Sequence, residues 1–203
     1  MLIRTTMIAL CCALASTAAN AQAAAPPRTE QVETGFATIA GHPNTRYSIR
    51  LLPVSSFPQL PLPVTQQLER LGCMIPQTYE ARAPENVISG SFEKKGSSDW
   101  AALCSVKGHT SPRGAFRSTT LYVFFQSDYT HPIALRSQPD TLWLGKEWGA
   151  DYGSAWGIAA YPARLMRPRD QYDHDGIEDA FVEQSRVVHY FRDGHWTKME
   201  GSQ

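Results

Sequence analysis

The segment YDHDGIEDAF, residues 172–181, gathers Asp173, Asp175 and Asp179 around Gly176. Carboxylates at this spacing suit three chemistries. They can cradle a hard dication, which takes about six to eight oxygens at roughly 2.3–2.6 Å. They can exchange protons with a neighbour such as His174, or they can shape a solvated Asx turn. In the metal arrangement Asp173 and Asp175 aim inward together, His174 points away and Gly176 reverses the chain. Ile177 then offers its carbonyl and Asp179 a third carboxylate, with water and the Gln171 amide completing the shell. A shell left open to water implies weak affinity, on the order of 10⁻⁴–10⁻³ M, and a structural ion.

The run from Asp173 through Asp179 into Ala180-Phe181-Val182 resembles the calcium loop of integrin-type FG-GAP repeats. That resemblance implies a structural Ca²⁺ held by Asp173, Asp175, Ile177 and Asp179. It is incomplete, because Gln171 stands where the family has a further Asp. A faint echo lies upstream in FEKKGSSDWAAL, where Gly96 and Asp99 match Gly176 and Asp179 at one offset (176 − 96 = 179 − 99 = 80). There Glu93 and Lys95 replace the first two aspartates, so a Lys95–Asp99 charge pair is expected in place of an ion. Two copies cannot close a propeller, and only the loop chemistry is carried over. The wider run from Cys73 onward resembles a group of uncharacterised exported bacterial proteins, which implies no activity.

Other catalytic signatures are missing from the chain. It has no H-E-x-x-H, no G-x-S-x-G and no phosphate-cradling loop. Ser91-x-x-Lys94 has the spacing of a serine–lysine pair without its companion motifs. No catalytic residue is therefore assigned, and the chain reads as an exported non-catalytic binding or structural module stabilised by a disulfide and a calcium loop; the alternative is a periplasmic hydrolase using the acidic loop and His174. Trp143, Trp148, Tyr152 and Trp156 alternate with glycines, a composition suited to a stacking surface for a cell-envelope glycan or peptide. Arg164, Arg167 and Arg169 follow and suit an anionic polymer. With 19 basic and 19 acidic residues, no long-range field draws the chain to nucleic acid.

These residues need elements to position them. Arg4, the apolar run Met7–Ala15 and Ala19-Asn20-Ala21 read as a secretory signal over 1–21, so a periplasmic or secreted location is expected. No later run is long and apolar enough to span a bilayer. After removal of Cys11 and Cys12 only Cys73 and Cys104 remain, and an oxidising compartment pairs them. Residues 22–44 read as a flexible lead-in and 45–203 as a single β-rich domain. The fold class is mainly β, α+β at the margin, built of antiparallel sheet with one short N-terminal helix near 63–72. Val64, Leu68 and Leu71 fall at helical spacing between Pro63 and Gly72. TRYSIRLL, NVISGSF, DWAALCSV, TTLYVFFQ, TLWLG, DAFVEQ, RVVHYFR and HWTKME read as strands, with Asp193-Gly194 as a type I′ turn.

Overall fold

The computed structural model describes residues 28–111, 114–146, 150–168 and 171–200. The expected signal segment, Trp148 and Arg169 lie outside them. The chain is mainly β and antiparallel, as expected. A seven-stranded sheet runs in the order β1 (Gln31–Ile39), β2 (His42–Pro53), β3 (Met74–Pro76), β5 (Asp99–Ser111), β6 (Gly114–Phe125), β7 (Asp128–Pro139), with β4 (Val87–Gly90) also on β5. A short pair joins β8 (Leu144–Gly145) to β9 (Gly153–Ser154). The second sheet orders β10 (Trp156–Tyr161), β11 (Gly176–Phe181), β12 (Ser185–Arg192) and β13 (His195–Glu200).

The period-two alternation of β5 explains the layering. Ala102 and Cys104 face a core with Leu52, Val54, Ile75 and Phe124, where the helix α1 (Leu62–Leu71) contributes Val64 and Leu68. Ala101 and Leu103 face the opposite way, into a core with Leu121, Val123, Trp156, Ile158 and Ile177 from the second sheet. The large sheet is therefore the middle layer.

Helix α1 begins one residue earlier than the sequence suggests, because Pro61 stands at the cap and Pro63 inside the first turn. Gly72 ends it in the left-handed region at φ 78°, donating to the Leu68 and Glu69 carbonyls. Cys73 follows and bonds to Cys104, closing a separation of 31 residues and fastening the short helix to β5.

Five strands escape the sequence reading: β1, β7 and β10, and the short β3 and β9. Residues 31–44, expected in a flexible lead-in, form β1 and the start of β2. Their turn is Ala40-Gly41, with φ of 50° and 81°, and alanine is a rare occupant of that left-handed position. β7 contains Pro132 and Pro139, which an edge strand tolerates and a central one does not. β10 begins at Trp156, whose neighbourhood of aromatics and glycines suggests a ligand surface rather than a strand. TLWLG is strand only at its last two residues, since Asp140–Leu142 is a single 3₁₀ turn. The Asp193-Gly194 hairpin forms as expected, with φ of 51° and 79° joining β12 to β13.

Gly176 and Gly96 do different work despite their matching positions. Gly96 turns the chain at φ 81°, whereas Gly176 opens β11, and a Cβ there would lie 2.7 Å from Val188, 2.9 Å from Met166 and 3.0 Å from the His189 carbonyl. Gly176→Ala should cost about 1–3 kcal/mol by overpacking, read from urea unfolding. A variant of unchanged midpoint would show that this contact yields freely.

Candidate functional site

The acidic segment begins as a loop but becomes a strand at Gly176. An extended chain rises about 3.3 Å per residue, which separates the Asp175 and Asp179 backbones by roughly 13 Å. A single cation cannot be reached from both, and each carboxylate has its own partners. Asp173 is 75% exposed at its side chain and meets His174 Nδ1 at 2.7 Å and the Tyr190 hydroxyl at 3.1 Å. Asp175 accepts the Ser91 and Ala163 amides at 3.2 and 3.3 Å, while its own amide donates to the Ser91 carbonyl. Ile177 is buried mid-strand, paired with Ala160 and His189. Among the described residues no three His, Cys, Asp or Glu side chains are grouped to hold a metal.

Asp179 lies on the other face of the sheet from Tyr190, between the two layers and almost wholly buried. Its Oδ1 accepts Trp156 Nε1 at 2.8 Å; its Oδ2 accepts Arg136 Nη1 and His189 Nε2, each at 2.9 Å. Burial pushes its carboxyl up, but the His189 and Arg136 hydrogen bonds and the Arg136 charge outweigh it and hold the pKa below the ordinary value. A β-bulge delivers the arginine. The β6–β7 register shifts between Leu121–Arg136 and Tyr122–Ala134, so Leu135 is the extra residue and Arg136 faces inward opposite Leu121. Its guanidinium also lies over Trp143 at 4.2 Å and Trp156 at 5.3 Å. His189 is buried, its proton placed on Nε2 by the carboxylate, and its Nδ1 has no partner among the described residues.

His174, the suggested proton-transfer residue, is committed on both ring nitrogens. Nε2 lies 2.9 Å from the Phe191 carbonyl, which can only accept, so Nε2 donates there. Nδ1 lies within hydrogen-bond distance of Asp173 and of the Tyr190 hydroxyl, and the ring stacks on Tyr190 at 4.3 Å. The hydrogen bond from His174 is the main reason the Asp173 carboxyl sits below its usual range. This group floors a surface cleft of about 540 Å³ rimmed by Glu93, Lys94, Gln171 and Arg192.

Asp99, the upstream counterpart, is a buried turn anchor. It accepts the Phe92 and Glu93 amides at 2.7 Å each, the Ser97 hydroxyl, and the Gln126 amide at 2.8 Å. Lys95 is exposed and is not among these partners, so the expected charge pair is replaced by backbone donors. Ser91 Oγ donates to the Ser97 carbonyl and Lys94 is solvated, which separates that pair as well.

The three described aromatic candidates, Trp143, Tyr152 and Trp156, do not form a shared open platform. Trp156 is buried, and Trp143 stacks on it at 5.4 Å and packs on Phe181. Tyr152 is half-buried and bridges to Tyr47 in β2.

A polar cluster with no sequence signature lies where the large sheet curls. Arg117, 4% exposed, donates to the Ser105 hydroxyl and carbonyl at 3.0 and 3.1 Å and stands 3.5 Å from Glu33. Asp140 accepts the Ser105 and Thr119 hydroxyls at 2.6 and 2.8 Å. Burial raises the pKa of Asp140 and of Glu33 despite the nearby guanidinium. One cation thus serves two carboxylates, tying β1 to β6 across the curl. Such residues come together only in three dimensions, from positions 33, 105, 117 and 140.

The chain matches no protein-family model, no curated protein and no solved structure.

Proposed function

We propose that this protein is an exported, non-catalytic module that acts by association, with its acidic segment serving as internal framework. The observation carrying this reading is the commitment of the residues that turnover would need. Both His174 nitrogens are within hydrogen-bond reach of protein atoms, and His189 and Asp179 are buried against each other away from solvent. A general base must reach a substrate proton, and neither histidine presents a free nitrogen to the surface. The export assignment rests on the residue pattern of 1–21, and the Cys73–Cys104 bond agrees with an oxidising compartment. The proposed partner class remains a cell-envelope glycan or peptide.

In this reading protein donors replace the calcium expected at 173–179. Asp175 then works as a clamp, joining the end of β4 to the start of β11 and to the 163 turn. Melting the mature protein in millimolar calcium and in excess chelator should give the same midpoint. Asp175→Ala should lower stability by about 1.5–3 kcal/mol, the typical worth of hydrogen bonds to a charged group, and by the same amount in both buffers. A calcium-dependent rise in midpoint that disappears in Asp175→Ala would restore the metal site and sink this reading. Hydrolytic turnover lost in His174→Gln with the fold intact would restore the enzyme.

A further inference from the structure

The ends of a sheet are where an unsatisfied backbone meets solvent, and this molecule treats its edges unequally. β7 carries Pro132, Pro139 and two register shifts, each of which spoils pairing with an added strand. The outer edge of β10 is occupied by Asn86, whose amide nitrogen donates to the Trp156 carbonyl and whose oxygen accepts the Ile158 amide. β13 carries Lys198. β1 has no proline, lysine or arginine over its nine residues. Among the described residues no strand pairs with its outer side.

The hydrogen-bond parity of β2 shows which backbone groups of β1 are open. Ser48 N donates to Tyr152 O, and Arg50 O accepts Gln77 N, so the even residues of β2 bond away from β1. Its odd residues Tyr47, Ile49 and Leu51 bond toward β1, opposite Gly35, Glu33 and Gln31. Val32, Thr34 and Phe36 therefore turn their N–H and C=O groups outward. Their side chains are exposed too, Val32 at 60% and Phe36 at 65%.

We propose that β1 is the pairing edge of a symmetric dimer, in which a second copy adds its own β1 antiparallel with Thr34 opposite Thr34. In that register Val32 meets Phe36 twice, joining the two exposed apolar side chains of the strand across the new seam. Glu33, the one charged side chain within β1, falls opposite Gly35 rather than its own copy. Moving the axis to residue 33 would set two glutamates face to face, and moving it to 35 would pair Val32 with Thr38. The apolar matching and the charge placement thus select a second copy in one register. The pairing involves β1 alone and holds whatever ligand the module takes.

Sedimentation of the mature full-length protein, up to about 100 µM to reach weak contacts of small area, should show a concentration-dependent dimer. Val32→Lys with Phe36→Lys should remain monomeric at an unchanged melting midpoint, because both side chains are solvent-exposed. Thr34→Cys should form an intermolecular disulfide under mild oxidation, since opposed hydrogen-bonded residues have Cα atoms about 5.5 Å apart, within disulfide reach. Thr38→Cys should not. A wild-type protein monomeric throughout the range, a dimer that survives the double lysine variant, or equal cross-linking at 34 and 38 would each overturn the proposal. A monomer that nevertheless captures extended peptides through β1 would overturn it in favour of a foreign strand.

Discussion

Asp179→Ala should destabilise the fold by about 3–5 kcal/mol, because it strips one buried acceptor from three donors at once. Arg136, Trp156 and His189 all point at this carboxylate from different strands. Arg136 retains some solvent at 24% exposure, which favours the lower half of that range. At roughly 2–4 °C per kcal/mol for a chain of this size, the midpoint should fall by about 10 °C. Asp179→Asn keeps one acceptor oxygen and should lose less. A shift under about 1 kcal/mol in Asp179→Ala would show that the network is not a structural staple.

The same carboxylate sets the acid limb of stability. Its folded pKa is depressed, so its contribution is fully present above the ordinary carboxylate pKa of 3.8 and is lost as pH falls through the lower folded value. Asp173 has the same sign. Asp140 and Glu33 have the opposite sign: their folded pKa values are raised, so the folded state gains stability as pH drops through those values. Acidification from neutrality should therefore cause little loss until below about pH 4, where Asp179 and Asp173 begin to protonate. Steep loss already above pH 5 in denaturant titrations would contradict these assignments.

Removing the disulfide should have an effect of similar size but a different location. Closing a loop of about 31 residues contributes about 4 kcal/mol in the chain-entropy description. A Cys73→Ala/Cys104→Ala protein should lose roughly that much. Because α1 has only ten residues and is held by packing plus this bond, its amides should exchange first. β10–β13 share no core with Cys73 and should keep their protection longer. Uniform loss of protection across both sheets would mean that the bond stabilises the whole fold and not the helix contact in particular.

Local chemistry made some elements readable. Asp193-Gly194 supplies two left-handed residues between alternating strands, so that hairpin is visible from the residues alone. Pro63, Gly72 and the Val64–Leu68–Leu71 stripe mark α1 within one residue. Cys73 and Cys104 remain as a single pair once the expected signal segment is set aside. β1 and β7 were hidden by an Ala-Gly turn and by prolines, which become acceptable only when a strand lies at an edge.

The acidic segment shows where such reading stops. Closely spaced aspartates resemble one cradle, but backbone extension from Gly176 spreads them along and across the sheet. Strand alternation sends Asp179 to the inner layer, and Asp173 pairs with Tyr190 on the outer one. The partner that defines Asp179 comes from Arg136, 43 residues away, aimed inward by a bulge no local pattern announces. The sequence by itself determined the β-rich class, the helix, the bonded cysteines and the C-terminal hairpin, because neighbouring residues set turns, caps and periodicity. Only the tertiary structure decided which charges meet, because burial and strand register, not spacing along the chain, choose the partner of each carboxylate.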